Sequence, residues 1–358
     1  MIKLTQEEVN ALHCKYGSRQ EVYKLELVDK YGIKKEDLQL VNGTIAVDCD
    51  ADIQRSATIE FVETLKVNYL TDRIKPYMGV RIAGSVKWWP LGVFLMIQPN
   101  PKKGNVSVQC YDETILLQQS CVLKPKLFLK GTNYGEVLRY FLISCGITKI
   151  NIQSTELTLP SDLIVDDSKN KLEWFNYIAE QINYTKLSVN ADGWFVSNKY
   201  VEPSPANVGY VYEANRMSVM TDDIESITDY WKVPNVFKRT VSRPDVGELT
   251  SIYKNEDPTN PFSTVSRGFE IVDNQLVDNV ANQIELDNLT RKAAFNANQV
   301  YQEVTFGTLN MPHHEINDIL DLRHPLLKGI FVSKHYSIPL KSGSLMTHRA
   351  KRLVTLND

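Results

Sequence analysis

The densest group of residues that could carry chemistry lies in the stretch MPHHEINDILDLRHP, from Met311 to Pro325. Its histidines and acids are residue types that bind metal ions, namely His313, His314, Glu315, Asp318, Asp321 and His324. Adjacent histidines on a strand point to opposite faces, and the spacing differs from the His-Glu-x-x-His motif that places two histidines on one helical face. We therefore interpret the stretch as a polar turn, with a metal site as the alternative.

Three further groups have weaker chemical patterns. The sequence DCDAD, from Asp48 to Asp52, resembles part of a calcium loop but lacks the glycine and the terminal glutamate that such a loop needs. Asp112 could be a general acid or base, yet it lies where a strand leads into a helix, which favours a capping role. Ser344 and His348 are four residues apart on a predicted hairpin. None of the common nucleotide-binding or hydrolase motifs is present, so we predict a protein that is not an enzyme.

The same reasoning predicts no catalytic residue, no cofactor-binding residue, no metal ligand and no bound cofactor. The chain has 358 residues, of which 43% are apolar and 23% charged, with a net charge of −3. These values are typical of a folded protein with two or three domains and argue against a basic nucleic-acid binder. Because the chain shows no signal-peptide pattern and no membrane-span pattern, we expect synthesis in the cytoplasm without membrane insertion.

The cysteine pattern argues against both a disulfide framework and a zinc site. The number of cysteines is odd, and no two are spaced as a Cys-x-x-Cys pair. We therefore expect reduced and mostly buried thiols at Cys14, Cys49, Cys110, Cys121 and Cys145.

The elements that would position these residues begin with a β-rich first third. Alternation in the segment SATIEF places Ala57, Ile59 and Phe61 on one face of a strand. The stretch from 87 to 119 reads as a strand, a turn, a second strand and the start of a helix. Since neighbouring residues of a strand face opposite sides, one of Trp88 and Trp89 should pack in the core and the other should face a rim or a partner. Regular strands with turn residues between them indicate a small antiparallel barrel or sandwich.

Helical periodicity appears in the middle of the chain. A helix is predicted within 131–146, with Thr132 or Asn133 as its cap, and a second helix within 171–182, with Ser168 or Asn170 as its cap. A long helix is predicted from Asp278 to Gln299. Its apolar side would contain Val280, Ile284, Leu289, Ala293 and Ala297. The C-terminal part reads as strands again.

Taken in order, four segments resemble the baseplate hub proteins of tailed phages and of related tail-like particles. They are VYKLELVDKYG followed by VNGTIAVDCDADIQRSATIEF, then WPLGVFLMIQPNPKKGNVSVQCYDETILLQQ, then IYKNEDPTNPFSTVSRGFEIVDN, and finally LTRKAAFNANQVYQEVTFGTLNMPHHEINDILDL. Where many hub proteins have Gly-Asp, this chain has Asn317-Asp318, a difference that affects a turn. The segments span nearly the full length, and their order is the strongest part of the resemblance.

The resemblance implies a predominantly β, α+β fold with two antiparallel tail-tube-like β-barrels joined by α/β domains. Residues 1–118 would form the first barrel, and 119–207 a domain of two helices and a hairpin. Residues 208–250 and 300–358 would form the second barrel, with the loop and long helix of 251–299 inserted between them. Three copies with two barrels each would form a ring of six.

The resemblance also implies a role in the tail baseplate or tip of a virion. The expected function is a hub ring, formed by a homotrimer, that joins the tail tube to a central spike or tip and leaves a lumen. The expected partners are a distal tail or tube protein, the tape-measure protein, the spike or tip protein, and phage DNA in transit. A host-surface or carbohydrate-binding tip protein is one alternative. A tail-associated cell-wall hydrolase is another, although the chain ends 34 residues after His324, which leaves no room for an added catalytic domain.

Overall fold

The structure is a computed structural model that describes residues 4–14, 18–215, 219–229, 231, 233–243, 247–277, 280–299 and 302–354. Asp278, where we placed the start of the long helix, lies outside these residues. So do the two ends of the predicted segment 300–358.

The helices are short except for the last. They are α1 Gln6–Leu12, α2 Ile115–Gln118, α3 Tyr134–Ile143, α4 Lys171–Gln181, α5 Thr264–Arg267 and α6 Gln283–Gln299. The strands are β1 Glu21–Val28, β2 Lys34–Leu38, β3 Leu40–Asp48, β4 Arg55–Val62, β5 Arg73–Ile82, β6 Ser85–Pro90, β7 Phe94–Lys102, β8 Asn105–Asp112, β9 Lys126–Phe128, β10 Ile150–Ile152, β11 Leu163–Val165, β12 Ser188–Val189, β13 Phe195–Ser197, β14 Tyr210–Glu213, β15 Met220–Thr228, β16 Val236–Arg243, β17 Gly247–Lys254, β18 Val272–Leu276, β19 Gln302–Leu309, β20 Ile319–His324, β21 Leu327–Pro339 and β22 Leu345–Arg352.

One 14-stranded sheet contains most of the β structure. Its main path is β15-β19-β22-β21-β3-β4-β8-β7-β5-β1-β2, with β6 paired to β5 and with β14 and β20 branching from β21. We call β1–β8 the N-terminal half and β14, β15 and β19–β22 the C-terminal half. The halves meet where β3 pairs with β21, from Pro339 opposite Thr44 to His335 opposite Asp48. The pairs are antiparallel apart from β14 and β20, and the predicted predominantly β, α+β fold is confirmed.

A single hydrophobic core runs through both halves of this sheet. It contains Ile59, Phe61 and Phe94 from the N-terminal half together with Phe306 and Phe331 from the C-terminal half. The halves are therefore joined by shared burial as well as by strand hydrogen bonds. Since apolar burial is worth about 25 cal/mol per Å², a common core resists separation of the halves.

In the N-terminal half, the alternation of apolar and polar residues predicted correctly which side chains are buried. Ala57, Ile59 and Phe61 are all buried, as predicted for β4. Trp89 is buried, and Trp88 is partly exposed beneath the ammonium of Lys24, which lies 5.0 Å from its ring centroid. The two tryptophans thus face opposite sides of β6, which confirms the prediction.

The middle of the chain forms a separate small core on α3 and α4. The side chain of Asn133 accepts a hydrogen bond from the Gly135 amide and caps α3. Asn170 and Glu173 form a reciprocal capping box on α4. Both predicted helices are confirmed, and their buried residues pack with the short strands β10, β12 and β13.

A three-stranded sheet, β17-β16-β18, packs against α6. Residues 236–243 and 247–250, which we had placed in the second barrel, belong to this sheet, so we propose to assign them to the inserted unit. Helix α6 turns most of the predicted stripe inward, since Leu289 is buried and Ala293 and Ala297 pack against the core, but Ile284 does not follow it. Ile284 is 68% exposed, whereas Leu286, Ala294 and Phe295 are buried. The predicted stripe began too early because Val280 precedes the helix.

Two local features depart from simple expectation. Strand β7 pairs with β5 only at Phe94 and Leu95, and beyond Met96 it pairs with β8 alone. On the other side of β7, Pro99 and Pro101 therefore lie on an edge that has no strand partner among the described residues.

All five cysteines are free thiols, but only Cys110 is buried. The expectation of mostly buried thiols was therefore wrong.

Candidate functional site

The most connected polar side chain near the contact between the two halves is that of Arg55, at the start of β4. Its Nε donates to the Val189 carbonyl at 2.8 Å, and its Nη1 lies 3.4 Å from the Tyr336 hydroxyl. Its Nη2 forms an ion pair with Glu315. The guanidinium is buried and joins β4 to the middle domain, to β21 and to the loop before β20. Arg55 is thus a junction between three parts of the chain.

Asp112 holds the backbone of the same strand. Its Oδ2 accepts the Arg55 amide at 2.9 Å, and its Oδ1 accepts the amide and the hydroxyl of Thr114 at 2.8 and 2.5 Å. The carboxyl is fully buried, and burial raises its pKa. The N-cap residue of α2 is Thr114, so Asp112 stabilises the turn before the helix rather than capping it. The predicted capping role of Asp112 is therefore corrected to support of the preceding turn.

The loop of residues 311–318, between β19 and β20, brings Glu315 to Arg55. The Glu315 amide donates to Asp318 Oδ2 at 2.9 Å, and the Asn317 amide donates to the Ser333 carbonyl at 2.8 Å. Asn317 has φ 64°, a left-handed conformation that asparagine and glycine tolerate better than other residues. The Asn317-Asp318 pair therefore supports the same turn that Gly-Asp would.

Both histidines of this loop point into the protein. We had argued that adjacent histidines face opposite sides, but they lie in a turn rather than on a strand. Their ring centroids are 5.3 Å apart, and that of His348 on β22 is 4.9 Å from that of His314. We call His313, His314 and His348 the histidine cluster. All three side chains are buried.

Tyrosines and one threonine supply the polar contacts of the histidine cluster. The Tyr212 hydroxyl lies 2.5 Å from His314 Nε2, and Thr308 Oγ1 lies 2.8 Å from His348 Nε2. Neither nitrogen of His313 has a hydrogen-bond partner, and the Nδ1 atoms of His314 and His348 have none. Burial holds the pKa of His313 and of His314 well below the usual value and lowers that of His348 to about 3. The three imidazoles are therefore neutral at neutral pH.

Among the described residues, the side chains of the alternative metal-site interpretation do not form one ligand set. His324 Nδ1 accepts the Leu326 amide at 3.2 Å, and Asp321 is paired with Arg323 at 2.8 Å. His313 and His314 instead face the interior. The first half of the stretch contains the predicted turn, which is buried at its start, but residues 319–324 form strand β20. In the described part of the chain, Ser344 and His348 do not pair with each other, and His348 Nε2 instead contacts Thr308 Oγ1.

Within the described residues, one group has metal-ligating atoms close together, and it belongs to DCDAD. Ligand atoms of Asp48, Cys49 and Asp50 lie within 4.8 Å of one another. Arg349 lies 3.5 Å from the Asp48 carboxylate and Lys351 lies 3.6 Å from that of Asp50. Calcium prefers oxygen ligands, and these carboxylates already have protein cations beside them. The group fits a charged hairpin turn better than an ion site.

Sequence reasoning missed Arg55, although a signal was present. Arg55 has the same parity as Ala57, Ile59 and Phe61, so the alternation that places those residues inward also places an arginine inward. A buried charge must be paired, and that requirement predicts an acidic partner. It does not identify Glu315, which is 260 residues away.

Comparison with solved structures shows proteins of the same fold. The chain is similar to a tail protein from Neisseria meningitidis, with 12% identity, a TM-score of 0.63, and coverage of 92% of this chain and 96% of that one. It is also similar to the 43 kDa tail protein of a Shewanella oneidensis prophage, with 11% identity, a TM-score of 0.61, and coverage of 93% and 98%. A Listeria monocytogenes prophage tail protein has 11% identity, a TM-score of 0.54, and coverage of 92% and 94%.

No protein-family model and no curated protein matches the sequence. In the part of the chain that the structure describes, no helix has the length and apolarity needed to cross a membrane. The fold is thus shared with phage tail proteins along nearly the whole chain, at an identity that sequence comparison does not detect.

Proposed function

We propose that the chain is a structural component of a phage tail or tail-like particle, and that its copies form the hub ring between the tail tube and a central spike or tip. The supporting observation is the fold match, which covers more than nine tenths of both chains in each comparison. A match of that extent leaves little of this chain for an added catalytic domain. We therefore propose a mechanical role without enzymatic activity.

A hub must transmit force between its parts, and the internal contacts of this chain suit that task. The N-terminal and C-terminal halves are joined in three ways. Strand β3 pairs with β21, both halves contribute to one hydrophobic core, and Arg55 forms an ion pair with Glu315. In our proposal the two halves act as the two tube-like barrels of each subunit. Three subunits would then present six barrels to a six-fold tube, and a closed ring requires a heterologous contact between copies.

The proposed lumen should repel DNA rather than bind it. Strand β15 forms one end of the 14-stranded sheet and has exposed carboxylates at Asp222, Asp223 and Glu225. Basic residues would retain DNA through phosphate contacts, whereas acidic residues allow it to pass. We propose that β15 faces the lumen, where DNA and the tape-measure protein would pass. The remaining proposed partners are a distal tail or tube protein and the spike or tip protein.

Light scattering of the purified protein across a concentration series tests the ring. The monomer mass is 40.9 kDa, and we expect a species of three times that mass to persist on dilution. A mass of 40.9 kDa at every concentration would contradict ring formation by this chain alone. A turbidity assay on peptidoglycan should show no lysis, and lysis would favour the hydrolase alternative.

One observation favours the alternative of a carbohydrate-binding tip protein. Trp231 is 76% exposed and stacks on Phe269, with ring centroids 6.3 Å apart and an interplanar angle of 24°. Exposed aromatic faces are a common means of binding sugars and partner proteins. Binding to cell-wall glycans that is lost in Trp231→Ala, with the oligomer mass unchanged, would support this second function.

A further inference from the structure

The histidine cluster and the Arg55 junction meet in one short loop, residues 311–318. The loop inserts His313 and His314 into the C-terminal half, and one residue later it pairs Glu315 with Arg55. Tyr210 and Tyr336 donate hydrogen bonds to the carbonyls of His313 and His314, at 3.2 and 2.8 Å. The loop cannot move its histidines outward without disturbing the ion pair beside them.

We propose that this loop is an acid-sensitive latch: protonation of the histidine cluster drives the loop out of the core and thereby releases Glu315, on the C-terminal side, from Arg55 of the N-terminal half. The geometry supports this inference because the His314 ring lies between the other two, with centroids 5.3 Å from that of His313 and 4.9 Å from that of His348. Four of their six ring nitrogens lack a hydrogen-bond partner. An imidazolium must donate from both nitrogens, so the closed site cannot accommodate the charged form.

Apart from the carboxyls of Glu315, which is paired with Arg55, and Asp318, the groups around the cluster carry no negative charge that would neutralise an added proton. The surrounding titratable and charged residues are His13 after α1, Arg19 before β1, Arg55 on β4, Tyr210 and Tyr212 on β14, Glu315 and Asp318 in the loop, and His335 and Tyr336 on β21. His13 and Arg19 lower the pKa of His313 further. Burial raises the pKa of each of these tyrosines, so they stay neutral.

The direction of the pH dependence follows from proton linkage. A histidine whose folded pKa is depressed contributes its stability above about pH 6.5, and that contribution is lost as the pH falls below this value. Asp318 has the opposite effect on the pH dependence of opening. Burial raises its pKa to about 6, so the Asp318 carboxyl keeps its proton in the closed loop below that pH and loses it on opening. Between about pH 4.5 and 5.5, opening takes up three protons on the imidazoles and releases one from Asp318.

The latch therefore predicts a specific slope. Each net proton taken up on opening changes the opening equilibrium about tenfold per pH unit. Protection of the loop amides against hydrogen exchange, corrected for the intrinsic exchange rate, should fall about 100-fold per pH unit in this range. Amides of α3 and α4 in the same molecule should show no such slope, because they lie in the separate middle core.

Hydrogen exchange measured by mass spectrometry on the full chain tests the latch. His313→Leu should reduce the slope to about tenfold per pH unit, and Asp318→Asn should steepen it to about 1000-fold. His324→Gln is the matched control, since His324 is a buried histidine outside the cluster, and it should leave the slope at about 100-fold.

Two results would overturn the proposal. A wild-type loop slope below tenfold per pH unit would mean that the cluster does not take up protons on opening. Equal slopes in the loop and in α3 and α4 would mean that acid unfolds the whole chain rather than a latch. If His313→Leu does not fold, Asp318→Asn still decides the matter, because a steeper slope is unique to coupled titration in the loop.

Discussion

Replacing Arg55 with methionine would remove the cation that three parts of the chain share. The side chain keeps much of its length but loses its contacts with the Val189 carbonyl, Tyr336 and Glu315. Breaking a buried ion pair by removing one partner typically costs 3–5 kcal/mol, since the other charge stays behind. The Glu315 side chain is 19% exposed, so water reduces part of that cost. We expect a loss of roughly 3 kcal/mol in the free energy of unfolding.

Urea unfolding at neutral pH, followed by tryptophan fluorescence, measures this loss. The midpoint should fall, and the m-value should also fall if the middle domain begins to unfold separately. Glu315→Gln alone should cost about 1–2 kcal/mol. The double variant should be less destabilised than the sum of the two single variants, because both charges are gone.

Two outcomes would refute the reasoning. A loss below about 1 kcal/mol for Arg55→Met would place the Arg55 pair among weak surface ion pairs. Additive losses in the double variant would mean that Arg55 and Glu315 contribute independently and that the junction is not a unit. Lys254→Met is a suitable control, since Lys254 is 41% exposed and its partners Glu256 and Glu270 are 64% and 52% exposed, so no buried charge is left behind.

Three further substitutions test other features by the same unfolding assay. Gly79→Ala should destabilise by about 1–3 kcal/mol, because the new Cβ would lie 2.8 Å from the Trp88 ring; an unchanged midpoint would show that β6 can shift freely. Asn317→Ala should cost about 1–2 kcal/mol at its left-handed φ of 64°, whereas Asn317→Gly should cost less. Asn170→Ala should cost about 1 kcal/mol by removing the capping box with Glu173, and retention of full stability would mean that packing alone fixes the start of α4.

Local patterns predicted much of the fold. Strand alternation, helix caps and turn residues act over a few positions, and each was visible in the sequence of β4, α3 and α4. The left-handed residues Ala83 and Gly84 form the turn between β5 and β6, at a glycine whose conformational freedom favours such a turn. The start of α6 was placed too early because an apolar residue ahead of the helix, Val280, fitted the helical period.

Long-range pairing could not be predicted from the same patterns. The contact between β3 and β21 joins residues such as Ile45 and Ile338, and no local rule selects that partner among many apolar strands. The histidine cluster was misjudged for a similar reason. The side on which His313 and His314 lie depends on the turn geometry and on three tyrosines from distant strands.

The free edge of β7 bears on how the protein avoids uncontrolled association. An open strand edge invites further strands to add without limit, the more so at high protein concentration. Proline has no amide hydrogen and cannot donate to an incoming strand, and Pro99 and Pro101 occupy alternate positions on this edge. Addition of a further strand at this edge of β7 is therefore disfavoured. Pro99→Val with Pro101→Val would restore both donors and turn this hairpin into a seed for aggregation.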